Sequence, residues 1–142
     1  MEFDVLGDIN WLGVLLGTIA YFALGAVWYT PVLFGKPWMK AMGMEAPAAG
    51  EQPNPAVYLV PLISTFITSV ALAMIARAAG ASGVGDGLAL GLVVGFGFAV
   101  TVLFTTAVFE PQKPQPWVWF VITAGYHLVG VILAAVIVCL LD

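Results

Sequence analysis

Charged side chains are scarce in this chain of 142 residues: four are Lys or Arg and eight are Asp or Glu, 8% in all, whereas soluble domains carry roughly a quarter. So few ions cannot cover a water-soluble globule of this size. Four basic residues and a net charge of −4 also exclude the basic footprint that nucleic-acid binding requires. The single cysteine, Cys139, excludes an internal disulfide and any multi-cysteine metal site. The single histidine, His127, has no second ligand within the chain, so neither a metal nor a cofactor is expected unless other subunits supply ligands. Cys139 lies too far along the same segment to pair with it. There is no G-x-S-x-G element and no phosphate loop, and no catalytic residue is expected. Glu110 is placed to act as an acid or base, or simply as a solvated helix end. The opening MEFDVLGD is acidic where a secretory signal is basic, so the first apolar segment is read as part of the folded chain.

What the chain does contain is apolar length. It is 62% hydrophobic with a mean hydropathy of +1.06, and its Asp, Glu, Lys and Arg occupy only positions 2, 4, 8, 36, 40, 45, 51, 77, 86, 110, 113 and 142. The runs between them each suffice for a membrane span of about 20 residues. Backbone amides in hydrocarbon must bond within their own segment, so such runs are helices. The expected fold is all-α: one transmembrane domain over 1–142, a four-helix bundle with a short interfacial helix after the first span.

Punctuation places the spans at about 9–29, 55–79, 86–109 and 116–141. Asp8 is expected to cap the first and Pro31 to stop it. Asn54, Pro55 and Gly80 mark the start and the left-handed exit of the second, with a kink expected at Pro61. The third follows Gly85 and Asp86 and ends where Glu110 precedes Pro111. The fourth opens at Pro116. Lys36, Lys40 and Lys113 fall in two loops on one side, against Arg77 on the other. The positive-inside rule then puts residues 31–54 and 110–116 in the cytoplasm and both termini outside the cell membrane. Arg77 is expected to snorkel or to pair with Asp86.

Aromatic residues crowd the segment AVWYTPVLFGKPWMKAMGM, residues 26–44. Trp28, Tyr29, Phe34, Trp38, Trp117 and Trp119 all fall on the predicted cytoplasmic face, either as an interfacial belt or as a gate or docking surface. Pro37 is suited to opening a short helix that lays Trp38 into the interface while Lys36 and Lys40 reach anionic headgroups.

Gly25, Trp28, Tyr29, Pro31, Phe34, Gly35, Trp38 and Gly43, with Phe109 and Glu110 ending the third span and Tyr126 in the fourth, form a pattern that resembles the bacterial membrane proteins grouped as domain of unknown function 1761. The resemblance covers nearly the whole chain. It implies a small four-span membrane protein and brings no chemistry of its own.

Two further patterns bear on function. Gly87, Gly91 and Gly95 make a smooth face on span three, and Gly13, Gly17 and Gly25 repeat it on span one. Such faces let backbones approach, either span one against span three or at an interface between copies in a homo-oligomer. Counting about 1.5 Å per residue, Tyr21, Thr65, Thr68, Ser69, Thr101, Tyr126 and His127 all lie near the midplane, where polar groups should point inward and toward one another. That layer is either interhelical hydrogen bonding or a small polar cavity. The leading expectation is a homo-oligomeric transporter-like or channel-like unit in the lipid bilayer. The alternative is a structural or regulatory subunit that docks a membrane-protein partner through its aromatic cytoplasmic face. Span one has no carboxylate past Asp8, unlike the four-span multidrug exporters that depend on one.

Overall fold

The computed structural model describes residues 3–45, 50–51, 54–110 and 112–142. Parts of the expected interfacial segment, residues 46–49 and 52–53, and Pro111 lie outside them. A short 3-10 turn, Phe3–Gly7, precedes α1 (Trp11–Trp28). This helix opens at Asn10 and not at Asp8: Asn10 Oδ1 accepts the amides of Leu12 and Gly13 at 3.0 and 3.2 Å. Ile9 is buried in the core, so the chain is already committed to packing there and the helix starts two residues later than expected, at Trp11.

After α1 the chain turns tightly. The Phe34 amide donates to Trp28 O at 3.0 Å and the Gly35 amide to Thr30 O at 2.9 Å. The helix α2 (Gly35–Met42) begins hard against that turn, where a Cβ at position 35 would stand 2.3 Å from the carbonyl oxygen of Tyr29. Only glycine fits. Ala41 is buried against Ala107 and Trp119, and the Gln115 amide donates to Ala41 O at 3.2 Å. The two loops expected to share a side therefore meet.

The second span opens as a 3-10 turn, Pro55–Tyr58, with Asn54 Oδ1 accepting the Ala56 amide at 3.0 Å. It continues as α3 (Leu59–Ala79) and leaves through Gly80 at φ 65°. Pro61 sits in the first turn of α3, where its missing N–H would have no intrahelical partner anyway. The irregular step falls before it, as the 3-10 turn.

The third span is α4 (Gly83–Val94), a π-helical segment Gly95–Val100, and α5 (Thr101–Phe109), joined end to end. It starts earlier than expected, after Ser82, because the Asp86 carboxylate reaches back to accept the Ser82 amide at 2.9 Å, the reach-back of a capping box. With Asp86 so engaged, Arg77 faces Asp142 instead, at 4.0 Å. The fourth span is α6 (Pro116–Leu141).

The hub of the bundle is α6, the most buried of the four spans, with α1, α3 and α4 all packed on it. The two glycine faces do not meet each other. Gly13, Gly17 and Gly25 lie against Val138, Ala134 and Tyr126, while Gly87, Gly91 and Gly95 lie against Val136, Ile132 and Leu128 on another flank of the same helix. At the closest point a Cβ on Gly91 would be 2.5 Å from Ile132 Cα. Without a hydrophobic drive between helices in lipid, this backbone approach supplies the dispersion contacts that hold them. The outer surface is apolar: Leu15, Ile19, Ile63, Ile67, Val93 and Val102 are all exposed, as suits a lipid-facing bundle.

Candidate functional site

The seam between α1 and α6 is built by aromatic rings seated on glycines of the opposite helix. Tyr21 on α1 fills the space above Gly130 of α6, where a Cβ would stand 2.1 Å from its ring. Tyr126 on α6 reciprocates, with its hydroxyl 2.8 Å from the place of a Cβ on Gly25. One turn on, Trp28 lies over Gly125, and its Nε1 donates to Ile122 O at 3.1 Å. These notches bring the polar ends of the rings inside the bundle. The Tyr21 hydroxyl is 2.6 Å from His127 Nδ1. The Tyr126 ring centroid is 4.7 Å from that of His127, 5.4 Å from Tyr21 and 5.3 Å from Tyr29. Thr123 closes the column toward the loops, accepting from Trp38 Nε1 at 3.3 Å and hydrogen-bonding the Tyr29 side chain. Burial pushes the Tyr29 phenol above the ordinary tyrosine range, and the Thr123 bond opposes part of that shift.

Of the expected midplane layer, Tyr21, Tyr126 and His127 come together. Ser69 is fully buried across α1, its Oγ 3.5 Å from where a Gly17 Cβ would be. Among the described residues it is the buried side-chain polar group without a hydrogen-bond partner. The threonines do not join. Thr65 donates to Leu62 O at 3.0 Å, Thr68 to Ser64 O at 2.9 Å, and Thr101, exposed, to Gly97 O and Phe98 O at 2.9 and 3.0 Å. A threonine hydroxyl reaches a carbonyl three or four residues back on its own helix, so it does not need a neighbour. Thr101 follows the π segment directly, and its one hydroxyl reaches two carbonyls inside that segment.

The expected aromatic face divides. Trp28, Tyr29 and Trp38 are half-buried, with the Phe34 ring tilted against Trp28 at 4.7 Å and Trp38 edge-to-face with Tyr29 at 5.2 Å. Trp119 is buried beneath Lys113, whose Nζ lies 4.3 Å from its ring centroid. Lys113 also pairs with Glu110, which leaves that carboxylate as an ion-paired helix end. Trp117 points outward, 54% exposed, clustered with Phe104 and Phe120. Beside the π segment an apolar groove of about 600 Å³ lies between the third span and α6, lined by Phe96, Val100, Phe104, Phe120 and Leu128.

Gly130, Gly125 and Thr123 were absent from the sequence-based site. The available signal was spacing along α6: Thr123 and Gly130 stand three residues before and four after Tyr126, on its face of the helix. Among the described residues no three His, Cys, Asp or Glu side chains are placed to hold a metal ion.

Four helices long and apolar enough to cross a bilayer, three of them packed on α6, with Tyr21, Tyr126 and His127 together at the α1–α6 seam, define a small multi-pass helical membrane bundle. The chain belongs to the family described as protein of unknown function (DUF1761), whose model matches residues 12–139. No curated protein and no solved structure matches it significantly.

Proposed function

We propose that this protein is a transporter-like or channel-like unit of the cell membrane that works as a homo-oligomer, with both termini outside and the Tyr21–His127 pair as its working site. The observation that carries this is the 2.6 Å contact between Tyr21 Oη and His127 Nδ1, which links α1 to α6 deep within the spans. An ionisable side chain at that depth is costly and marks function by default. His127 is the one side chain within the spans that ordinarily titrates near neutral pH. The Ser69 hydroxyl, beside Gly17 one turn along α1 from Tyr21 and buried without a partner, adds a second polar group that packing alone leaves unused. Efflux from proteoliposomes, screened over small polar solutes, tests this. His127→Leu should abolish the flux with the assembly intact, and Thr101→Val, which lies off the site, should leave it unchanged.

A second reading, a subunit that docks a membrane-protein partner, is favoured by one observation: the outward patch of Trp117, Phe104 and Phe120 beside the apolar groove. No wild-type flux, together with destabilisation by His127→Leu, decides for it.

A further inference from the structure

We infer that the groove between the third span and α6 holds the acyl chains of one phospholipid, drawn from the leaflet on the loop side and retained as a bound ligand. The inference does not rest on the Tyr21–His127 pair. At 3.6 residues per turn, Phe120, Val121, Ala124 and Leu128 share one flank of α6, and Tyr126, His127 and Gly130 share another. The groove of about 600 Å³ has Phe96, Val100 and Phe104 on one wall and Phe120, Val121 and Leu128 on the other. Phe96 and Val100 belong to the π segment, a local departure from the α-helix that is frequent at functional sites.

Dimensions select the occupant. Phe120 to Leu128 covers about 12 Å at the helical rise, close to the ~15 Å that one leaflet contributes to a hydrocarbon core of about 30 Å. Over that length a volume of about 600 Å³ leaves a section of about 50 Å², less than a helix about 10–12 Å across occupies. The groove is thus too narrow for a span of a second copy and suits hydrocarbon chains. Its walls offer nothing to a polar solute: Thr101 donates to Gly97 O and Phe98 O, and Thr105 to Thr101 O at 3.1 Å, so both hydroxyls are spent on their own helix. A chain between two walls touches more atoms than one lying on a convex helix, and dispersion adds over those contacts.

Two chains joined at one headgroup fit better than one. A second hollow, of about 350 Å³, is lined by Trp117, Val118, Val121 and Ile122, so Val121 stands between two apolar seats that lie side by side. The loop end is marked by Trp117, 54% exposed, whose ring packs with Phe104 and Phe120 at 5.9 and 6.3 Å. A tryptophan at this level keeps its ring in hydrocarbon and offers its N–H to the headgroup region, where phosphate and ester oxygens accept it. The glycerol end of the lipid therefore sits at Trp117, and its chains run toward Phe96 and Leu128.

Native mass spectrometry of the full chain, released from a mild detergent, tests this with dioleoyl phosphatidylethanolamine as the probe. One molecule should stay on each chain under conditions that strip further lipid, and mono-oleoyl lysophosphatidylethanolamine, with a single chain, should be held severalfold more weakly. Val121→Trp should fill the junction of the two hollows and weaken retention severalfold. Val93→Trp is its control: the two valines are 66% and 65% exposed, and Val93 lies off the groove, so this variant should retain lipid as wild type does. Both changes replace exposed side chains, and unchanged helical circular dichroism confirms that the variants fold. Wild type without retained lipid, equal retention by the two variants, or a lysolipid held as firmly as the diacyl probe means loose surrounding lipid only and overturns the seat. A wild-type dimer that Val121→Trp dissociates overturns it in favour of a second copy. The lysolipid comparison uses wild type alone and decides even where a variant does not fold. Solute efflux through the Tyr21–His127 site is a separate readout, so its absence sinks the transport reading and leaves the lipid seat standing.

Discussion

Tyr21 of the first span occupies the space that a side chain on Gly130 of the last would need: a Cβ there would lie 2.1 Å from Tyr21 Cε2 and 2.2 Å from Cδ2. The position of the Tyr21 hydroxyl beside His127 depends on that empty volume. Gly130→Ala should force the ring or the helix aside and cost about 1–3 kcal/mol, the usual range for overpacking. Thermal unfolding in detergent reads the loss. Wild-type stability in this variant would show that the ring is not seated there.

The two flanks of α6 differ from the free face of span three, and one pair of substitutions separates them. Gly91→Ala meets the Ile132 backbone at 2.5 Å, whereas a Cβ on Gly97 meets nothing within 4 Å. The first should lower stability by about 1–3 kcal/mol. The second should be neutral, or stabilise by up to about 1 kcal/mol through reduced chain entropy. Equal melting temperatures for the two variants would contradict the packing of α4 on α6.

Thr101 has a structural role that its depth in the membrane does not suggest. Its hydroxyl donates to both Gly97 O and Phe98 O, so Thr101→Val should cost about 1 kcal/mol. Amide exchange should quicken over the π segment, Gly95–Val100, and flux should be unaffected. A variant that abolishes flux at full stability would return Thr101 to the site.

The short helix after the first span is docked on protein and does not merely lie along the membrane surface. Ala41 is completely buried, and Trp38 Nε1 reaches Thr123. Amides of residues 38–42 should therefore exchange slowly in a bilayer mimic, and Ala41→Leu should release them. Fast exchange throughout 34–44 in the wild type would mean a free loop.

Sidedness is tested with single cysteines at Ser82 and at Gln112 in a Cys139→Ser background, using an impermeant thiol reagent. The two should label from opposite sides, Gln112 from the cytoplasm. Labelling of both from one side would reject four spans.

The sequence alone determined the class and the spans. Depletion of charge and apolar length demand helices in hydrocarbon, and Asn54, Pro55, Gly80, Glu110 and Pro116 mark ends through local backbone chemistry that needs no partner. The short helix, expected from Pro37 and observed from Gly35 to Met42, and the two glycine faces were legible for the same reason. Depth was also legible, because it is a count of residues times a fixed rise. Rotation about each helix axis was not. These spans are apolar nearly all round, so no hydrophobic stripe shows which face turns inward, and residues at one depth, such as Thr101 and Tyr21, can point to different surroundings. Only the tertiary structure decided that α6 is the hub and that both glycine faces press on it. It alone set Tyr21 on Gly130 and against His127, left Ser69 without a partner, and made Thr101 serve its own helix. Each of these depends on which backbone comes close enough to which side chain, a property of the packed bundle that no single segment carries.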